Sequence, residues 1–195
     1  MTRNSSSLVI DTVCDQAKEE DLAVAWLYCD YLAQQEQTIV NIMGAILKQL
    51  VGRGDIPNDI REAFQGAKKF GGRRPLLADL IRMLRTTITS LQQAFICIDA
   101  LDECIPKNLP GLLDSLRDIV LKSPRTRIFL TGRPHVKDDI QRYFPQAAVI
   151  LISPKQDDIG NFLEMKLEED EQREAMSDDL REEIVRMILE KMSDM

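Results

Sequence analysis

The sequence predicts an α/β protein: a parallel sheet with helices on both faces, followed by a purely helical C-terminal segment. Three observations carry this. Short apolar runs alternate with amphipathic stretches of helical period, the pattern of strands joined by crossover helices. The runs at residues 94–98 and 128–130 are continuously apolar, as in strands buried on both faces. The first of them ends abruptly in Asp99, Asp102 and Glu103, three acids within five positions. Carboxylates delivered that way belong at the carboxyl edge of a parallel sheet, where α/β proteins bind ligands.

Each element has its own local warrant. Leu8, Val9, Thr12, Val13 and Ala17 predict a first helix running from Ser7 into Glu19 and Glu20. Residues 23–29 are short, apolar and aromatic, and read as a buried strand with Asp30 and Tyr31 at its tip. Thr38 is placed to cap a helix with apolar positions Ile39, Ile42, Met43, Ile46, Leu47 and Leu50, ended by Gly52 and Gly54. Pro57 opens a shorter helix carrying Ile60, Ala63, Phe64 and Ala67, which Gly71 and Gly72 break. Pro75 starts a strongly periodic one with Leu77, Leu80, Ile81, Leu84, Ile88 and Leu91. The acid-tipped strand comes next. Pro110 then opens a helix with Leu112, Leu113, Leu116, Ile119 and Val120, stopped by Ser123 and Pro124. The second apolar strand ends in Thr131, Gly132, Arg133 and Pro134. A short helix over residues 138–143 leads to Ala147, Ala148, Val149, Ile150, Leu151 and Ile152, predicted as a further buried strand. Beyond it only helix is expected: one opened by Pro154 and Asp157, and a last one starting near Ser177 with Leu180, Ile184, Met187 and Ile188. The domain reading is therefore a core over residues 1–153 and a helical segment over 154–195.

The bulk numbers restrict the function. With 195 residues the chain is long enough for one domain with a substantial core. A net charge of −7 argues against nucleic-acid binding through a basic face, while leaving nucleotide binding open, since a few local cations suffice. None of the four cysteines forms a C-x-x-C pair, so neither zinc nor a redox motif is indicated, and all four are expected as reduced thiols of a cytoplasmic protein. No apolar run approaches the ~20 residues of a membrane span, and the N-terminus lacks a signal-peptide pattern.

The chemistry concentrates at two strand ends. Asp99 is placed to hold Mg²⁺ directly or through water. Glu103 lies one short turn beyond, suited to orient or deprotonate an attacking water, and Asp102 could assist either. The bland alternative is that these acids solvate a strand end or cap the next helix. Arg133 could sense a terminal phosphate or pair with one of the acids; its strand follows the acid strand by one helix, so the two strands are expected to be neighbours. Arg73 and Arg74 read as an exposed turn rather than a phosphate-reaching loop. His135 is the only histidine and receives no role.

The run Phe95-Ile96-Cys97-Ile98-Asp99-Ala100-Leu101-Asp102-Glu103 resembles the extended Walker B motif of the NACHT and related STAND P-loop NTPases. Ile128-Phe129-Leu130-Thr131-Gly132-Arg133-Pro134 resembles their sensor 1 strand, and the whole is similar to the nephrocystin-type N-terminal NTPase domain of fungal proteins that carry ankyrin, TPR or WD repeats. The resemblance spans roughly residues 5–195 and implies a P-loop NTPase-like fold. It also implies a signalling switch that binds ATP or GTP with Mg²⁺, changes conformation and oligomerises. Carried over by position, Asp99 would be the metal acid, Glu103 the catalytic acid with Asp102 beside it, and Arg133 the nucleotide-contacting sensor. Nucleic acid and membrane are not expected partners; further copies and repeat domains of a longer parent are.

One part departs from the pattern. The family places G-x-x-x-x-G-K-[ST] just before the helix that begins here near Ser5, and the sequence contains no such motif. The expectation is a core lacking the first, Walker A strand, which in this fold lies between the arginine-tipped strand and the last one. The C-terminus likewise stops within a helix, so truncation at both ends is expected. The domain would then be inactive alone, with a non-catalytic interaction scaffold as the alternative.

Overall fold

The computed structural model describes residues 5–19, 22–52, 61, 75–152, 155–169 and 176–193. Three parallel strands form the sheet: β1 (Ala23–Tyr28), β2 (Ala94–Asp99) and β3 (Thr126–Leu130), in that spatial order. The register sets Tyr28 level with Asp99, and Ile98 level with Leu130. Successive side chains point to opposite faces, so Ala25, Ile96 and Ile128 share one face and Val24 and Phe95 the other.

Helices cover both faces. On the Val24 face lies α1 (Ser5–Glu19), whose Val13, Cys14 and Ala17 pack with Leu22, Val24 and Phe95. The other face carries the main core, built by α2 (Ile39–Val51), α3 (Leu77–Thr89) and α4 (Leu109–Lys122). Their buried positions follow the helical period: Ile42, Met43, Ile46, Leu47 and Leu50 on α2, Leu80, Met83, Leu84 and Ile88 on α3, Leu112, Leu113, Leu116 and Ile119 on α4. The stops are those the sequence encodes. The Thr38 hydroxyl accepts the Asn41 N–H at 3.2 Å, and the Gly52 N–H closes α2 onto the Lys48 carbonyl at 3.1 Å. Pro110 sits in the first turn of α4, where its missing N–H costs nothing. A short helix, α5 (Lys137–Tyr143), follows β3.

The α/β class, the parallel sheet and the flanking helices are thus as expected and consistent with a P-loop-like fold. One element is not. Residues 147–152, predicted as a buried strand, form no strand, and Val149, Ile150, Leu151 and Ile152 are 45%, 81%, 69% and 77% exposed. A parallel strand is stable only with a hydrogen-bonding neighbour. Among the described residues β3 pairs with β2 alone, and residues 147–152 join no ladder. The helix predicted from Pro57, the glycine break at Gly71 and Gly72, and the Arg73–Arg74 turn lie outside the described residues.

The chain divides into two units, Met1–Ala147 and Ala148–Met195. The second contains α6 (Gln156–Glu168) and α7 (Asp178–Ser193). The Lys155 N–H donates to Asp158 Oδ2 at 3.3 Å at the start of α6, and the Leu180 N–H donates to Ser177 Oγ at 3.3 Å at the start of α7. Among the described residues no helix is long and apolar enough to cross a membrane.

Candidate functional site

The carboxyl edge of the sheet gathers the ends of all three strands. β2 ends at Asp99, and the next residue, Ala100, adopts φ 55° and ψ 49°, the left-handed region that residues with a Cβ avoid. This sharp bend sends Leu101 into the core, where it is fully buried, and starts a short 3₁₀ turn, Leu101–Glu103, that carries Asp102 and Glu103 along the rim.

Thr131, just past β3, holds the bend. Its hydroxyl donates to Asp99 Oδ1 and accepts the Ala100 N–H at 3.0 Å. Its own N–H donates to the Ile98 carbonyl at 3.0 Å, and its carbonyl accepts the Leu101 N–H at 2.9 Å. One residue therefore satisfies the backbone on both sides of the strained position and aims the Asp99 carboxylate. Because the left-handed conformation disfavours a Cβ, Ala100→Gly is expected to be at least as stable as the parent, whereas the same change at an ordinary position costs roughly 0.5–1 kcal/mol. A thermal melt showing a drop in Tm for this variant would contradict that account of the bend.

The other two acids are also engaged. Asp102 is 8% exposed at its side chain; Oδ1 accepts the Arg133 N–H at 3.1 Å and Oδ2 lies 3.3 Å from the Arg133 Nε. The Arg133 side chain as a whole remains 76% exposed. Gly132 lets the β3 tip pack closely on Val136, since a Cβ there would sit 2.7 Å from Val136 Cγ2. Glu103 reaches towards β1: its Oε2 accepts the Tyr31 N–H at 3.0 Å, and its carbonyl accepts from Gln34 Nε2 at 2.7 Å. Asp30 caps the same turn by accepting the Leu32 N–H at 2.8 Å.

The four residues singled out in the sequence thus meet at one edge: Asp99 and Glu103 bracket the β2 loop, Asp102 ties it to β3, and Arg133 is the exposed cation beside them. Of the two readings of Arg133, the arrangement contains the pairing with an acid. Thr131 escaped the sequence reading. Its signal was a lone hydroxyl directly after an apolar strand, informative only once β2 and β3 are known to be adjacent.

Asp99 offers a hard carboxylate, with a hydroxyl beside it. Among the described residues no group of three or more His, Cys, Asp or Glu is arranged to hold an ion by itself. A single hard carboxylate with a hydroxyl beside it is a donor set that Mg²⁺ accepts when other oxygen ligands complete its shell.

Behind the rim, Cys29 Sγ and Cys104 Sγ lie 3.0 Å apart, both buried. The hydrogen bond to Cys104, reinforced by burial and by the charges of Asp99 and Glu103, pushes the Cys29 thiol far above the ordinary range, while the same bond draws Cys104 down. Burial, with Cys14 nearby, pushes Cys97 up to about 11.

No curated protein matches the chain. Residues 5–133 match the family described as Nephrocystin 3, N-terminal, a stretch that covers more than half of the chain and takes in Asp99, Asp102, Glu103 and Arg133. The chain belongs to the nephrocystin 3 N-terminal family.

Proposed function

We propose that this domain is part of a nucleotide-binding, NACHT-like switch of the STAND class, acting in the cytoplasm within a longer, repeat-containing signalling protein that oligomerises. The observation that carries the reading is the meeting of the Asp99–Glu103 loop with the Thr131–Arg133 tip on adjacent parallel strands. Asp99, aimed by Thr131, would hold Mg²⁺. When bound, Mg²⁺ would neutralise negative charge on the phosphates of ATP or GTP. Glu103, on the β1 side of the edge, would orient water, and Arg133, whose backbone and Nε are anchored by Asp102 and whose side chain is largely exposed, would contact a phosphate.

Most phosphate affinity in such sites comes from backbone N–H groups and the lysine of a G-x-x-x-x-G-K-[ST] loop, and the 195 residues contain no such motif. The 195-residue chain is therefore proposed to bind nucleotide poorly and to hydrolyse it hardly at all. A second reading, a non-catalytic interaction scaffold, is favoured by one observation: each of the three acids already accepts a hydrogen bond from the protein.

Titration calorimetry with ATP and GTP in the presence of Mg²⁺, on this chain and on Asp99→Ala/Glu103→Gln, tests both. The expected result is no measurable heat from a folded sample. Micromolar affinity that the double variant loses would overturn the proposed inactivity and establish a working site in this chain. Micromolar affinity that the variant keeps would place binding elsewhere and remove the assigned roles.

A further inference from the structure

We infer that Cys29 and Cys104 form a redox-responsive dithiol behind the acidic rim, and that its oxidation ties the end of β1 to the Glu103 loop. The two sulfurs, 75 residues apart in sequence, are brought to 3.0 Å and stand in hydrogen-bond contact, and both cysteines are free thiols. Closing this gap to a bond needs a shift of about 1 Å, since a disulfide is about 2.05 Å long.

The position is what makes the pair consequential. Cys29 follows β1 directly, and its N–H donates to the Asp99 carbonyl at 2.9 Å. Two residues further on, Tyr31 donates to the Glu103 carboxylate. Cys104 follows Glu103 directly, and its N–H closes the 3₁₀ turn onto the Leu101 carbonyl at 3.1 Å. In the reduced state, hydrogen bonds hold the Glu103 loop against the β1 tip. A disulfide would make the same junction covalent, so that the loop could no longer part from β1. The inference stands on this geometry and is independent of whether the chain binds nucleotide.

The oxidant is a hydroperoxide, because a small neutral molecule is what a pair only 5% and 6% exposed can admit. One sulfur attacks a peroxide oxygen, the O–O bond breaks, and a sulfenic acid and one water form. The second sulfur then attacks the sulfenic sulfur and the S–O bond breaks. The hydroxide leaves as a second water, taking up the remaining thiol proton. The sum is two thiols and hydrogen peroxide giving one disulfide and two waters, with two electrons passing from sulfur to oxygen.

The experiment is peroxide treatment of the folded full chain, alkylation under denaturing conditions, and peptide mapping by mass spectrometry. Cleavage before aspartate separates Cys97 from Cys104 and Cys14 from Cys29, so the linkage can be assigned. The expected result is a mass lower by two hydrogens, two fewer alkylated cysteines and a Cys29–Cys104 cross-linked peptide that a dithiol reductant releases. Cys104→Ser should abolish that peptide and leave Cys29 alkylatable. Retention of all four thiols, or a cross-link joining Cys14 or Cys97 instead, would overturn the inference. So would a two-thiol loss that persists in Cys104→Ser. The wild-type map alone decides the matter should the variant fail to fold.

Discussion

Thr131→Val is expected to cost the first unit about 2–4 kcal/mol, although it changes one hydroxyl for one methyl. The Thr131 hydroxyl does two things at once: it donates to the Asp99 carboxylate and accepts the N–H of Ala100, whose backbone is already strained. Hydrogen bonds to charged groups contribute roughly 1.5–3 kcal/mol and neutral ones about 1, and an isosteric methyl offers neither donor nor acceptor. The loss would be of the same order as a third of a typical domain's stability, roughly 5–15 kcal/mol. Thr131→Ser keeps the hydroxyl and should stay within about 1 kcal/mol of the parent, separating the hydrogen bonds from the packing. Urea unfolding followed by fluorescence of Trp26, the single tryptophan, located on β1, reads the unit directly. A valine variant within about 0.5 kcal/mol of the parent would mean that Thr131 does not hold the bend, and the account of how Asp99 is aimed would fall with it.

What the sequence made legible here is what local pattern can encode. The core faces of α2, α3 and α4 follow from the spacing of their aliphatic residues, because a helix buries one stripe whatever it packs against. The adjacency of β2 and β3 follows from a single intervening helix, because short crossovers join neighbouring strands. Ile150 and Ile152 show the limit. Their run is as apolar as β2, yet a strand exists only through its ladder, and no periodicity reports whether a neighbour is present. The same limit hid Thr131 and the Cys29–Cys104 contact, which span 31 or 32 and 75 residues and arise only when the strand ends are set side by side. The acids were legible as a cluster; that each would already be bonded within the protein was not, since hydrogen-bond partners are chosen by tertiary geometry.

Leu116→Ala on α4 should cost about 2–5 kcal/mol, while Leu121→Ala on the same helix should stay within about 0.5 kcal/mol. Both remove the same atoms, and alanine is the better helix former in each case, so propensity cannot separate them. Burial does. Leu116 is fully buried, in the cluster with the α2 and α3 cores and Ile96 and Ile98 of β2, whereas Leu121 is 68% exposed. At Leu116 the lost transfer energy adds to the cost of a cavity whose rigid neighbours relax only in part. The consequence reaches the site through α4, which lies between the acid loop and β3 in sequence and packs against β3. Loosening it should weaken the seating of Thr131 and Arg133 along with global stability. Amide hydrogen exchange then has a definite expectation: in Leu116→Ala, the Leu101 and Arg133 N–H groups, bonded to the Thr131 carbonyl and Asp102, should exchange faster than in Leu121→Ala. Equal exchange in the two variants, despite a lower urea midpoint for the first, would show that the rim is held by its own hydrogen bonds and not by the core beneath it.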